Sequence, residues 1–217
     1  MPKAPPVGTP WGGRLAEALE PLHRSYLRRL DEMAARLPAE ALLTERTTRG
    51  DDGRLVPGED GLPLRFDVAD ARDGHTYEVH GARQDEPAAA QVQVGEIEVR
   101  LQAGNWEELP VACVFDGEPL PEDAEAVAEI LRAFAVLAWH GAFAAMQPPR
   151  GTPQADRWLG AAHGVKVALE ENEIRAVYDL GSCPPAAVEA LCMALSGFAV
   201  ERVPMAYVRI GGVAPAG

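Results

Sequence analysis

The chain has 217 residues, of which 47% are hydrophobic and 24% charged, an ordinary soluble composition with room for one large domain or two small ones. Its 20 Lys and Arg against 33 Asp and Glu give a net charge of −13. That field repels phosphate backbones and anionic lipid, which argues against nucleic-acid and membrane-surface functions and leaves solubility or docking of a basic partner as its uses.

Residues 1–12 are rich in Pro and Gly and read as a flexible N-terminal segment, followed by a single α+β domain over 13–217. From Arg14, the residues Leu15, Leu19, Leu22, Tyr26, Leu30, Met33 and Leu37 form one apolar helical stripe, suited to docking within the chain or onto a second copy of it. Pro21 lies inside this run and predicts a kink or restart. A further helical turn is expected over 38–43, and 44–61 reads as a mobile polar loop.

Leu64, Phe66 and Val68 alternate with polar residues as in a half-buried strand, Asp73-Gly74 is a hairpin signal, and Tyr77 and Val79 continue on the returning strand. In 91–102 the apolar phase slips by one residue at Gly95, which predicts a β-bulge. Leu109–Phe115 is apolar on both faces and reads as a covered, central strand. The stretch 121–146 begins with acidic residues and becomes apolar all round from Ala133, so it is expected to be a long central helix sealed on every side, with Trp139 in the core.

Pro148-Pro149 ends that helix, and 147–164 is the place for a subdomain break. Val165, Val167 and Leu169 form a strand, Glu171-Asn172 a turn, and Ile174, Ala176, Tyr178 and Leu180 the strand back. Pro184-Pro185 opens a last helix expected to stop at Gly197, and a final strand is placed over 198–210, interrupted at Pro204. The order α-β-β-β-β-α-β-β-α-β, with like elements grouped, predicts an α+β fold with a mainly antiparallel sheet packed around the long helix.

Chemistry is sparse. Cys183 stands at the start of the last helix, where dipole and free amides lower a thiol pKa, and His163 or His140 would be its base. A small residue filling a helix start is the plainer explanation of Cys183, and nothing in the spacing ties it to either histidine. The cysteines, Cys113, Cys183 and Cys192, are odd in number and have no scaffold spacing, and Cys113 alternates with core residues. His75 and His80 point to opposite faces of a strand, no Cys-x-x-Cys or His-Glu-x-x-His occurs, and no phosphate loop is present, so neither a metal nor a cofactor is expected. Glu107-Glu108, Glu122-Asp123 and Glu170-Glu171 read as solvating and capping carboxylates. Trp11, Trp106 and Trp158 fall in predicted loop or terminal segments, as interface anchors do, although loops also tuck a tryptophan inward.

No secretion signal is visible at the N-terminus, so a cytoplasmic protein is expected, and Lys3 and Lys166 as the only lysines, with abundant Ala, Gly and Pro, suggest a GC-rich bacterial genome. Over 114–195, Val-Phe-Asp-Gly-Glu-Pro-Leu-Pro-Glu-Asp leads into a long helix. Val-Lys-Val-Ala-Leu-Glu-Glu-Asn-Glu-Ile-Arg-Ala-Val-Tyr then leads into Pro-Pro-Ala-Ala-Val-Glu-Ala-Leu. This order of elements resembles type III secretion chaperone-like domains. The resemblance implies a non-catalytic, acidic, often dimeric protein that binds another chain; the greater length and the strand after the last helix depart from it. The leading expectation is a non-enzymatic binder of another protein, with a basic partner suited to its charge: a chaperone, an adaptor or a toxin-neutralising immunity protein. The rivals are an enzyme or small-molecule binder using Cys183 with His163 or His140, and a structural subunit of a larger assembly.

Overall fold

The structure, a computed structural model, describes residues 13–58, 61–85, 87, 89–146, 158–170, 173–202 and 205–212. The first helix, α1 (Arg14–Ala34), runs continuously through Pro21, whose exposed ring faces solvent. Leu15, Leu19, Leu22, Tyr26 and Leu30 of the expected stripe are buried. They dock within the chain, against α3 (Pro185–Glu201). Glu189 of α3 fixes the contact: its Oε2 accepts from Gly13 N (3.1 Å) and Ala16 N (2.8 Å), placing a carboxylate on the positive end of α1.

Two sheets follow. The smaller joins β1 (Leu42–Thr44), β2 (Val68–Asp70) and β3 (Thr76–Tyr77), all antiparallel. The helical turn expected up to Leu43 is therefore a strand where it meets β2, and of the strand expected from Leu64 only the end is regular. Arg65 makes an isolated bridge to Thr47.

The larger sheet contains β4 (Gln91–Val94), β5 (Ile97–Leu101), β6 (Leu109–Phe115), β7 (Gly164–Glu170), β8 (Glu173–Asp179) and β9 (Met205–Ile210), in the order β4-β5-β9-β6-β8-β7. It is mixed: β9 pairs antiparallel with β6 but parallel with β5, because the last strand enters between two strands that are neighbours in sequence. The fold class is α+β, with one parallel pairing that periodicity could not reveal.

The phase slip at Gly95 is a two-residue hairpin turn and not a bulge: Val94 pairs with Ile97, and Gly95 has φ +56. A Cβ there would stand 2.3 Å from Ser196 Oγ, which accepts from Glu96 N at 2.7 Å. Strand β6 is central and buried, as its two-sided apolar pattern implies. Pro110, its second residue, is tolerated because its carbonyl side faces past the end of β9, where Gly211 N donates to it (2.8 Å).

Helix α2 (Pro121–Trp139) differs most from expectation. It ends seven residues before Met146, and only one face is covered, by Val127, Ala128, Leu131, Phe134, Ala135 and Ala138. Val136 is 42% and Leu137 51% exposed. The physical reason is position: α2 lies over β7 and β8, at one end of the sheet, with α3 on one flank, so its outer side has no layer above it. Trp139 is only half-buried; its Nε1 donates to Pro63 O (3.1 Å) and its ring lies 4.7 Å below the Arg65 guanidinium. Helix α3 runs through Gly197 to Glu201, so the final strand begins only at Met205. Among the described residues, no helix is long and apolar enough to cross a membrane.

Candidate functional site

The site is built around a histidine that the fold surrounds with carboxylates. His163 immediately precedes β7, and its backbone N donates to Asp179 O (2.8 Å), which seats the side chain at the end of the β7–β8 pair. The ring is 3% exposed. Nδ1 lies 3.1 Å from Asp67 Oδ1 and 3.8 Å from Asp179 Oδ1, and Nε2 lies 3.2 Å from Glu45 Oε1. Two carboxylates on two ring nitrogens require both nitrogens to donate, which only the imidazolium can do. Burial opposes that charge, but Asp179, Asp67 and Glu45 outweigh it and hold the pKa at about 10.

Each carboxylate reaches the ring from a different part of the chain. Glu45, just after β1, is fully buried and has φ +44. Its Oε1 also accepts from Ser182 N (3.0 Å), and its Oε2 from Ser182 Oγ (2.8 Å) and Leu159 N (2.6 Å). Ser182 Oγ in turn accepts from Gly160 N (2.8 Å). Asp67, beside β2, accepts from Tyr26 Oη of α1 and from Val79 N (2.6 Å). Burial pushes the Asp67 carboxyl up, but the bonds from His163, Tyr26 and Val79 and the histidine's charge pull it below the usual range. The Tyr26 phenol is driven upward, first by burial and then by Asp67.

Gly181 lets the chain pass close to the ring. At φ +48, a Cβ there would stand 2.5 Å from His163 Nε2 and 2.6 Å from Ala161 O. The network thus ties α1, the small sheet, the sheet end and the approach to α3 to one buried cation. With every oxygen of Glu45 bonded, it is a structural pin.

Asp179 is the exception. Its Oδ1 accepts from Gly181 N (3.1 Å), yet 43% of its side chain remains exposed. Deep placement raises its carboxyl to about 6; Asp67 and Glu107 add to the rise and the His163 charge opposes it. Asp179 opens onto a cavity of about 380 Å³. Its walls are Leu62 and Leu64 from the loop after the first strand, Val165, Lys166 and Val177 from β7 and β8, and Glu107 and Glu108 from the turn before β6, with His163 behind. The Glu107 side chain is 11% exposed. Its Oε1 accepts from Asn105 Nδ2 (3.2 Å), while its buried Oε2 has no hydrogen-bond donor among the described residues.

The structure does not join the sequence candidates. Cys183 is fully buried beside Ser182, and burial, reinforced by Glu45, drives its thiol pKa well upward instead of down. Its expected helix-start activation is lost because no water reaches the sulfur. None of the bonds of His163 goes to Cys183, and His140 is exposed at the C-terminal cap of α2, edge-on to Trp139. Cys113 and Cys192 are also buried, with Cys113 pushed up to about 12 by burial and Glu173.

Trp106 and Trp158 are not surface anchors. Trp106 is wholly buried against the His23 ring (5.2 Å), and Trp158 is buried with its indole N–H donating to Asp31 Oδ1 (3.1 Å). Both seal the core from loop positions; Trp11 lies outside the described residues. Among the described residues, no cluster of three His, Cys, Asp or Glu side chains has metal-holding geometry.

Sequence reasoning reached His163 but missed Glu45, Asp67, Asp179 and Ser182. Glu45 sits in a stretch that reads as solvated loop, and Asp67 and Asp179 occupy the polar positions of alternating strands. The Glu107-Glu108 pair, read as solvating, instead lines the cavity. No protein-family model, curated protein or solved structure matches the chain.

Proposed function

We propose that this chain is a cytoplasmic, non-enzymatic protein that binds another polypeptide, a basic one, as a chaperone, an adaptor or a toxin-neutralising immunity protein does. The observation that carries the reading is the division of labour around His163. The imidazole and the thiols are consumed in ion pairs or sealed in the core, whereas Asp179, Glu107 and Glu108 line a cavity. A charged imidazole is a poor general base at neutral pH, and a buried thiol is a poor nucleophile. Open carboxylates on a chain of net charge −13 favour a cationic partner and speed its encounter. The order α2, β7–β8 hairpin, α3 is also the one on which the resemblance to type III secretion chaperone-like domains rests, and those domains hold another chain.

Affinity capture from the native host tests the reading. The expected result is a basic polypeptide retained at low salt and released as ionic strength rises. Retention of no polypeptide, together with a marked rise in thermal midpoint on adding a host metabolite, would overturn it.

A further inference from the structure

We propose that the cavity between Asp179, Glu107 and Glu108 is an anchor pocket for a guanidinium group, filled by an arginine side chain of the bound polypeptide; this rests on the protein-binding reading above. The cavity pairs an apolar wall with convergent acceptors. Leu62, Leu64 and Val177 can cover the methylene stem of a long cationic side chain, as apolar surfaces do for such stems. Its volume of about 380 Å³ lies in the lower part of the range for ligand pockets, roughly 300–1,000 Å³.

The polar groups select a donor-only, positively charged head. The carboxylate of Asp179 is open to the cavity, and Glu107 and Glu108 add their negative charge to its wall. The His163 charge behind the cavity offsets this field only in part, because Glu45 and Asp67 lie nearer its nitrogens, at 3.2 and 3.1 Å, than Asp179 does at 3.8 Å. Among the described wall residues Lys166 and His163 carry the opposing charge, against three carboxylates. A planar fork with five donors satisfies several converging oxygens at once, which an ammonium does less well and an uncharged side chain not at all.

The test is an NMR titration of the 15N-labelled full chain with N-acetyl-arginine methylamide, its lysine counterpart and its norleucine counterpart. The expected result is millimolar binding of the arginine compound that shifts the amides of Glu107, Glu108, Gly164 and Lys166. Lysine should bind several-fold more weakly, and norleucine should give no shift. The double substitution Glu107→Gln with Asp179→Asn should weaken arginine at least tenfold. Lys166→Glu, at an exposed position that leaves the core untouched, should tighten it several-fold and serves where the double variant does not fold. Absence of shifts with arginine, equal shifts with norleucine, or equal affinity for lysine would each overturn the proposal. A polypeptide captured equally by wild type and double variant would overturn the pocket and leave the protein-binding reading standing. Arginine binding at these amides without any captured polypeptide would support the pocket and count against that reading.

Discussion

Replacing Glu45 by Gln is the sharpest probe of the buried network. The two side chains have nearly the same shape, so the change removes a charge and two acceptor sites without opening a cavity. In the wild type, Oε1 receives Ser182 N and His163 Nε2, and Oε2 receives Ser182 Oγ and Leu159 N. A glutamine must place its NH2 in one slot. The first slot sets it against two N–H donors. In the second, the serine hydroxyl can rotate to accept, but Leu159 N–H is orphaned, at about 1–3 kcal/mol. Loss of the charge opposite a buried imidazolium is the larger effect, about 3–5 kcal/mol for breaking such a pair.

The two overlap, and Asp67 and Asp179 still face the ring, so about 4 kcal/mol is expected for the variant. That is a large share of a domain stability of roughly 5–15 kcal/mol. Urea unfolding at pH 7, followed by the fluorescence of buried Trp106 and Trp158, reads it directly. With a slope of about 3 kcal/mol/M, the midpoint falls by more than 1 M. In a double-mutant cycle with His163→Gln, the losses should be non-additive by about 1.5–3 kcal/mol. A loss below about 1 kcal/mol, or strict additivity, would refute the view that Glu45 and His163 act as a pair.

Raised from its ordinary 6.5 to about 10, the pKa of His163 contributes stability that is complete below pH 6.5 and lost as pH rises through 10; denaturation midpoints of wild type should fall across that window by more than those of His163→Gln. Asp179 has the opposite character for an acid, its carboxyl being raised to about 6, so its contribution improves as pH falls from 6 toward 3.8, until protonation of Asp67 below 3.8 reverses the trend. Gly181→Ala should cost more than about 2 kcal/mol, since a left-handed backbone adds about 1–2 kcal/mol to the collision with His163 and Ala161; unchanged thermal stability would contradict the close approach. Leu137→Asp on the open side of α2 should change stability by less than about 0.5 kcal/mol, while Phe134→Ala on the covered side should cost about 3–5 kcal/mol, and calorimetry separates the two. Native Cys113, Cys183 and Cys192 should resist iodoacetamide at neutral pH and all react after unfolding; rapid labelling of Cys183 in the folded chain would restore the enzyme reading.

Local signals were legible where one segment decides its own fate. The two-sided apolar run of Leu109–Phe115 marked a central strand, and the alternation of Ile174, Ala176 and Tyr178 marked the inner face of β8. Helix α1 was readable from its stripe. Signals failed where a distant partner decides. Ala133, Val136 and Leu137 look like core, but α2 is covered only on the side facing β7, β8 and α3, which its own sequence does not encode. The slip at Gly95 fits either a bulge or a hairpin, and the approach of Ser196, far along the chain, goes with the hairpin. The insertion of β9 between β5 and β6 has no local trace. The same holds for the site: Glu45 and Asp67 look like surface polar residues, and His163 like a base for Cys183, until three remote segments converge and exclude water.

The charge state of His163 tests the account most directly. Long-range 15N–1H correlation spectra of the imidazole, recorded between pH 5 and pH 10, should show both ring nitrogens protonated at neutral pH and no change until the pH approaches 10. A neutral ring at pH 7, or a titration near 6.5, would contradict a buried cation pinned by Glu45 and Asp67 and would return His163 to the list of candidate bases.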